Sequence, residues 1–201
     1  MPTQKQPTLV LTVRPGFMLR LAPLLQRGFL IPVPGPITVY GLLLKLPGFD
    51  RQYITSRVET IFINGCAADS LETTLPAGST VALSAAMPGL AGAIFRKGGL
   101  HAALRSKPAR RPVPLPAADS CMTVKLFNII ATDTVEELLT RGILMNGDVL
   151  ARFFHRQQER LQSLLVDIRH DTNSLSLKDA RLLAEADDTL LLKAIEAHEH
   201  P

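Results

Sequence analysis

The stretch of sequence that decides the fold occurs twice, as LLQRGFLI at residues 24–31 and as LLTRGILM at residues 138–145. Three further pairs of similar segments accompany it in the same order along the chain. They are TVRPGFM (12–18) with TVKLFNI (123–129), RVETIFING (57–65) with RLQSLLVDI (160–168), and GSTVALSA (78–85) with DDTLLLKA (187–194). Four matches in one order predict an internal duplication, that is, two copies of one supersecondary plan.

The first half predicts strands arranged around one helix. Strands are expected from β-branched content and alternation at residues 8–13, 28–33, 58–64 and 80–85. Leucines at helical spacing predict a helix over residues 37–46, with Thr38 as its N-cap. Asn64 and Gly65 predict a tight turn because both residues tolerate positive φ, whereas residues 17–25 fit either a strand or a helical turn. Two strands, a helix, a strand and a last strand form the β-grasp, or ubiquitin-like, order.

The second half predicts the same order in a more compact form. Its strands are expected at residues 122–130, 142–145, 164–168 and 189–195. Asn146 and Gly147 predict a turn, and Asp148 is the expected N-cap of the helix that follows. Ser176, with Asp179 three positions later, predicts a second, short capped helix. We therefore expect an α+β protein of tandem β-grasp lobes, with mixed sheets that each carry one main helix.

The predicted domain boundaries follow from composition. Residues 1–105 form the first lobe, residues 106–119 a proline-rich and basic linker, and residues 120–201 a second, divergent lobe. The chain has no apolar run of the roughly 18–20 residues that a membrane span needs, and its N-terminus lacks the apolar core of a signal peptide. Cys66 and Cys121 have no CxxC spacing and are expected to be inert thiols. These features predict a cytoplasmic protein with no membrane partner.

Charge is divided between the two halves of the sequence. Residues 1–118 contain 13 Lys and Arg against 4 Asp and Glu, and residues 119–201 contain 9 against 14. Opposite charge predicts that the halves associate, within one chain or across a dimer. A candidate basic patch consists of Arg96, Lys97, Arg105, Lys107, Arg110 and Arg111. Because few aromatic residues accompany it, a solvated connector is favoured over a nucleic-acid-binding arm, and nucleic acid is not an expected partner.

Residues 36–92 resemble the ThiS/MoaD family of sulfur carriers in thiamine and molybdopterin synthesis. The resemblance lies in ITVYGLLLKL, in TIFING and in LPAGSTVALSAAMPG. It implies a β-grasp fold. In that family, function rests on a C-terminal Gly-Gly that is adenylated and converted to a thiocarboxylate, and Gly98 and Gly99 are the candidate tail here. Since the chain continues to Pro201, the intact protein is not expected to act as a carrier, and cleavage after Gly99 would be required.

A second feature of that region is the run of small residues around Met87, Pro88, Gly89 and Gly92. It lacks both GxxxxGK[ST] and GxGxxG, so a close-packed turn is favoured over an anion-binding nest. Such a turn is also a candidate interaction surface. The histidines are scattered and the chain contains no HExxH motif, so neither catalytic residues nor a metal or other cofactor are expected.

Two hypotheses about function follow. The favoured one is a non-enzymatic protein-binding or adaptor module, which binds a partner protein or a second copy of itself through the edges and faces of its sheets. The alternative is a carrier or precursor in sulfur transfer or cofactor metabolism that needs cleavage after Gly99. An enzyme that acts alone ranks third.

Overall fold

The computed structural model describes residues 6–100 and 121–197. These residues form an α+β fold of mixed β-sheet and eight α-helices. They group into two compact units. Unit 1 combines Met1–Phe29 with Val135–Pro201, and unit 2 is Leu30–Thr134. Each unit therefore takes residues from both halves of the sequence.

The strands of the described residues are, in chain order, β1 (Thr8–Val13), β2 (Phe29–Pro32), β3 (Ile37–Thr38), β4 (Thr60–Ile63), β5 (Cys66–Ala68), β6 (Thr74–Leu75), β7 (Thr80–Ser84), β8 (Cys121–Leu126), β9 (Ile143–Asn146), β10 (Leu165–His170), β11 (Asn173–Ser174) and β12 (Thr189–Glu196). The α-helices are α1 (Ala22–Arg27), α2 (Val39–Leu43), α3 (Arg51–Arg57), α4 (Gly89–Phe95), α5 (Asn128–Arg141), α6 (Gly147–Arg156), α7 (Gln158–Leu164) and α8 (Leu177–Ala186). A 3₁₀ turn, Met18–Leu21, leads into α1.

Unit 1 is built on five strands in the order β11-β10-β1-β12-β9. At its centre β1 runs parallel to β12, while β10 and β9 pair antiparallel on either side. Leu9, Leu11 and Val13 alternate with polar or half-buried residues, so one face of β1 is fully buried. Helices α6 and α8 pack against each other in this unit. The sheet thus keeps one apolar face toward the core.

Unit 2 has five strands in the order β2-β8-β7-β4-β5, with β3 and β6 as a separate pair. Its central strands β7 and β8 are parallel, and β4 is antiparallel to both β7 and β5. One face is buried through residues such as Val81, Leu83 and Val124. The opposite face carries Ala82 and Lys125, which are only half-buried. Because side chains alternate along a strand, this second face is the one open to a ligand.

The four matched pairs of segments fall on elements of the same type in the same order. The first pair lies at the C-terminal ends of β1 and β8, and the second pair covers the connections from α1 to β2 and from α5 to β9. The third pair covers the connections from α3 to β4 and from α7 to β10, and the fourth pair covers strands β7 and β12. This placement supports the predicted duplication. The partners of the initial strands nevertheless come from the other copy, since β1 pairs with β10 and β12, and β8 pairs with β7.

The strand expected at residues 122–130 is wrong beyond Leu126, and helix α5 follows it. Ile130, Thr134 and Leu138 are buried at helical spacing, which is a helical signal. The β-branched residues of α5 obscured that signal because they favour strands. The chain changes from strand to helix at Asn128, which has a φ of 54°. Asparagine tolerates such a positive φ better than most residues do.

Helix boundaries bring further corrections. Residues 37–38 form β3, so the helix expected over 37–46 is only α2, although its N-cap is confirmed because Thr38 Oγ1 accepts a hydrogen bond from Gly41 N at 3.1 Å. The N-cap of α6 is Asn146, not Asp148, and no turn intervenes at Asn146 and Gly147.

The short capped helix at Ser176 is confirmed, with Asp179 N donating to Ser176 Oγ at 3.1 Å. Helices α4 and α5 were not predicted from the sequence.

No helix within residues 6–100 and 121–197 combines the length and apolar character needed to cross a bilayer. The linker predicted at residues 106–119 lies outside the described residues. The two compact units are defined by contacts between residues. The predicted lobes at residues 1–105 and 120–201 concern which parts of the chain fold independently, and they stay a prediction.

Gly147 tests the packing of unit 1. Its N–H donates to Asp188 O at 3.0 Å, and a Cβ there would clash with the carbonyl oxygens of Asp187 and Ala184. Gly147→Ala is expected to destabilise the protein by about 1–3 kcal/mol, because overpacking forces the backbone to shift. Gly35→Ala is the control, since no heavy atom lies within 4 Å of its would-be Cβ. Chemical denaturation of both variants measures the difference, and equal stabilities would contradict the close approach.

The exchange of strands predicts the behaviour of fragments. A fragment of residues 1–105 lacks β8, which leaves β7 without its parallel partner, and a fragment of residues 120–201 lacks β1. Exposed central strands are prone to association, so neither fragment is expected to unfold cooperatively alone, whereas their mixture should regain a cooperative transition. Circular dichroism melts of each fragment and of the mixture provide the measurement. A native-like melt of either fragment alone would instead support the predicted lobes as independent domains.

Candidate functional site

A cavity of about 400 Å³ opens on the half-exposed face of the unit 2 sheet. This volume lies in the range of ligand sites in proteins. Strands β4, β7 and β8, the segment before α4 and the start of α5 all contribute to it. Its lining residues are Phe62, Gly65, Thr80, Ala82, Leu83, Ser84, Met87, Lys125, Phe127 and Asn128. We refer to it as the sheet-face pocket.

The floor of the sheet-face pocket is a row of three residues across three strands. Phe62 lies opposite Ala82, and Ala82 lies opposite Lys125. Because the alanine side chain is a single methyl group between two long side chains, the row forms a depression with one aromatic wall and one cationic wall. Thr80 and Ser84 flank the alanine on the same face of β7.

The matched segment of the second copy has a different residue at the position of the alanine. In the pairing of GSTVALSA with DDTLLLKA, Ala82 corresponds to Leu191. Leu191 lies on β12 opposite Leu144, so unit 1 carries a bulky side chain where unit 2 carries the depression. Strand β12 therefore accommodates a leucine at the position that matches Ala82 of β7.

One end of the sheet-face pocket is polar. Asn128 Nδ2 donates to Ser84 Oγ at 2.8 Å, and Phe127 N donates to Leu83 O at 2.9 Å, so the start of α5 is attached to β7. Lys125 forms no ion pair or hydrogen bond within the described part of the chain. A lysine ammonium that faces a pocket and has no carboxylate beside it can bind an anionic group of a ligand.

The other side of the sheet-face pocket is bordered by α4. Phe95 of this helix packs on Phe62 with ring centroids 5.3 Å apart. A Cβ on Gly92 would clash with the carbonyl of Met87, so the close packing predicted for this small-residue segment is present at that position. The tight turn expected here ends at Pro88, the N-cap of α4.

Two large apolar side chains lie exposed beside the sheet-face pocket along the chain. Leu90, on α4, is 70% exposed, and Ile129, next to Asn128, is 45% exposed. Large apolar side chains that remain open to solvent are common on surfaces that bind other macromolecules.

The candidate carrier tail is held against unit 2. Gly98 has a φ of +64°, and its N–H donates to Asp69 Oδ1 at 3.0 Å. Gly99 N donates to Arg96 O at 3.0 Å. Lys97 N donates to Glu59 O at 2.7 Å. The Gly-Gly pair therefore lies in a turn bonded to its own unit, and an adenylating enzyme would first have to release it.

Two members of the candidate basic patch make structural contacts. Arg96 Nε donates to Glu59 Oε2 at 2.6 Å. Lys97 Nζ donates to Val58 O at 2.9 Å, and burial lowers the pKa of Lys97 although Glu59 opposes that shift. The other four members, Arg105, Lys107, Arg110 and Arg111, lie outside the described residues. The patch as a binding site stays a prediction.

No group of three or more His, Cys, Asp or Glu side chains suited to a metal ion occurs in residues 6–100 and 121–197. Neither Cys66 nor Cys121 forms a disulfide.

No family model, no curated protein and no solved structure matches the chain significantly.

Sequence reasoning singled out Met87 at the sheet-face pocket and missed the residues of its floor. Phe62 and Ala82 were each recognisable as members of alternating strands, but their alignment depends on the register of β4, β7 and β8. Lys125 lies in the other half of the sequence. One signal was available, namely the alanine of GSTVALSA opposite a leucine in its matched segment.

Gly92 tests the border of the sheet-face pocket. Gly92→Ala is expected to displace Met87 and loosen α4, with a destabilisation of about 1–3 kcal/mol. Hydrogen exchange should increase over residues 87–95 while the core strand β7 keeps its protection. Gly35→Ala, which has open space around it, is the matched control. Unchanged hydrogen exchange over residues 87–95 in Gly92→Ala would show that the close approach of Gly92 to the Met87 carbonyl does not stabilise α4.

Proposed function

We propose that this protein is a non-enzymatic protein-binding module, and that the sheet-face pocket receives a segment of its partner. The observation that carries the proposal is the row Phe62, Ala82 and Lys125, which combines an aromatic wall, a depression and a cation that has no partner among the described residues. The ten lining residues include no His, Cys, Asp or Glu. They supply groups for binding and no pair of groups for general acid–base chemistry.

The surroundings of the pocket favour a protein partner over a free small molecule. A small ligand is usually enclosed by its site, whereas the sheet-face pocket lies on an open sheet face. A partner segment that enters such a pocket supplies a central anchor, as protein interfaces commonly do.

The same proposal includes the β-grasp identity of the units. Unit 2 contains β2, helices α2 and α3, the β4–β5 hairpin and β7, which is the later part of the β-grasp order. Strand β8 lies between β2 and β7, where the initial strand of that order would be expected. On this view the chain consists of tandem β-grasp copies that have exchanged their first strands, and the ThiS/MoaD resemblance is one of fold.

The carrier alternative receives less support from the geometry. Its candidate tail is fixed by the bond from Gly98 N to Asp69. Cleavage after Gly99 would also sever the chain between the strands of unit 2 and β8, on which their pairing depends. A cytoplasmic location and self-association remain part of the proposal, supported by two cysteines that form no disulfide and by the divided charge of the sequence.

A peptide library displayed on phage, with random 12-residue inserts, tests the binding function. We expect the full chain to enrich peptides that bind it, and Ala82→Leu to weaken that binding at least tenfold, or about 1.4 kcal/mol, because the leucine fills the depression. Leu191→Ala is the matched control, since it makes the reverse change on β12 of unit 1. It should leave binding unchanged. Failure to enrich any peptide, or equal binding by the Ala82→Leu variant, would overturn the proposal.

A further inference from the structure

We infer that the partner segment is acidic beside its anchor: it places an apolar side chain on Phe62 and Ala82 and, two residues away, an Asp or Glu carboxylate on Lys125. This inference rests on the proposed protein-binding function and specifies the chemistry of the partner. On this inference, Lys125 makes the site prefer acidic partner segments over neutral or basic ones.

The spacing of the floor supports a separation of two residues. Neighbouring strands lie about 4.8 Å apart, so the middle of the space between Phe62 and Ala82 is roughly 7 Å from Lys125 across the sheet. In an extended segment, side chains at positions i and i+2 point to the same side and are also about 7 Å apart. An apolar residue and an acidic residue in that relation match the aromatic wall and the cationic wall together.

The charges around the sheet-face pocket support an anionic partner. Strand β7 and helix α4 lie within residues 73–118, a stretch that contains no Asp or Glu. Asp133, on α5, is engaged elsewhere because it accepts a hydrogen bond from Tyr53 Oη at 3.2 Å. Burial and this carboxylate together raise the pKa of Tyr53, so the phenol stays a donor to Asp133. The Lys125 ammonium is therefore left for a carboxylate supplied by the partner.

A basic partner would meet the opposite situation. A Lys or Arg placed near Lys125 would bring two like charges together, which is costly. An uncharged polar residue would leave the ammonium without a counter-charge while displacing its water. The sheet-face pocket thus discriminates by charge as well as by shape.

Four acetylated, amidated nine-residue peptides test the inference with the full chain. They share Gly and Ser at their flanks and differ in their centres, which are Leu-Ser-Glu, Leu-Ser-Gln, Leu-Ser-Lys and Ser-Ser-Glu. Isothermal titration calorimetry should show that the Leu-Ser-Glu peptide binds at least tenfold more tightly than the Leu-Ser-Lys and Ser-Ser-Glu peptides. Its affinity should also fall with added salt, because ions screen exposed charges beyond about 8 Å at physiological ionic strength. The salt series uses the unaltered protein, so it does not depend on any variant folding.

Variants of Lys125 complete the test. Lys125→Gln should abolish the preference for Glu over Gln, and Lys125→Glu should reverse the preference between the Glu and Lys peptides. Lys45→Glu is the matched control, since Lys45 is an exposed lysine of the same unit outside the pocket, and it should leave the ranking intact.

The outcomes separate the inference from the proposed function. If the Leu-Ser-Glu and Leu-Ser-Gln peptides bind equally, without salt dependence but with sensitivity to Ala82→Leu, the acidic partner is excluded and protein binding stands. If none of the peptides binds and octanoate produces Lys125-dependent shifts in the NMR spectrum, the site takes free apolar acids and both proposals fail. Absence of binding by every probe, octanoate included, likewise overturns both.

Discussion

Parallel pairing between strands from opposite halves of the chain is the constraint on which the rest of the structure depends. Strand β1 pairs with β12, and β7 pairs with β8. In each pair one strand begins a copy of the duplicated plan and the other ends the opposite copy. Parallel strands need a long crossover connection. The connection from β1 to β12 spans most of the sequence, whereas the connection from β7 to β8 covers residues 85–120. Each unit consequently takes its central parallel pair from both halves of the chain.

This constraint also creates the sheet-face pocket. Phe62 and Ala82 belong to the first half of the sequence, and Lys125 and Asn128 belong to the second. They form one site because β8 enters unit 2 beside β7, which places the lysine level with the alanine. A first lobe closed on its own initial strand would carry Arg14 in place of Lys125, by the match of TVRPGFM with TVKLFNI. The exchange thus decides which side chains line the site.

The two halves of the sequence differ at positions that line the sheet-face pocket. Ala82 leaves space on β7, and its counterpart Leu191 occupies space on β12. Ser84, which accepts the hydrogen bond from Asn128, corresponds to Lys193. These differences place the open pocket in unit 2 and bulkier side chains at the matched positions of unit 1.

The amino-acid sequence by itself determined the α+β class, the repeated order of elements and many local signals, including the caps at Thr38 and Ser176. These depend on side chains near one another in the chain, where alternation, helical spacing and capping act directly. It did not reveal α5, because β-branched residues mask its helical spacing. Only the tertiary structure decided which strands pair and which side chains share a face. Two similar initial strands can each satisfy the same apolar pattern, so local sequence does not distinguish pairing within a copy from exchange between copies. The position of Lys125 beside Ala82 follows from that choice.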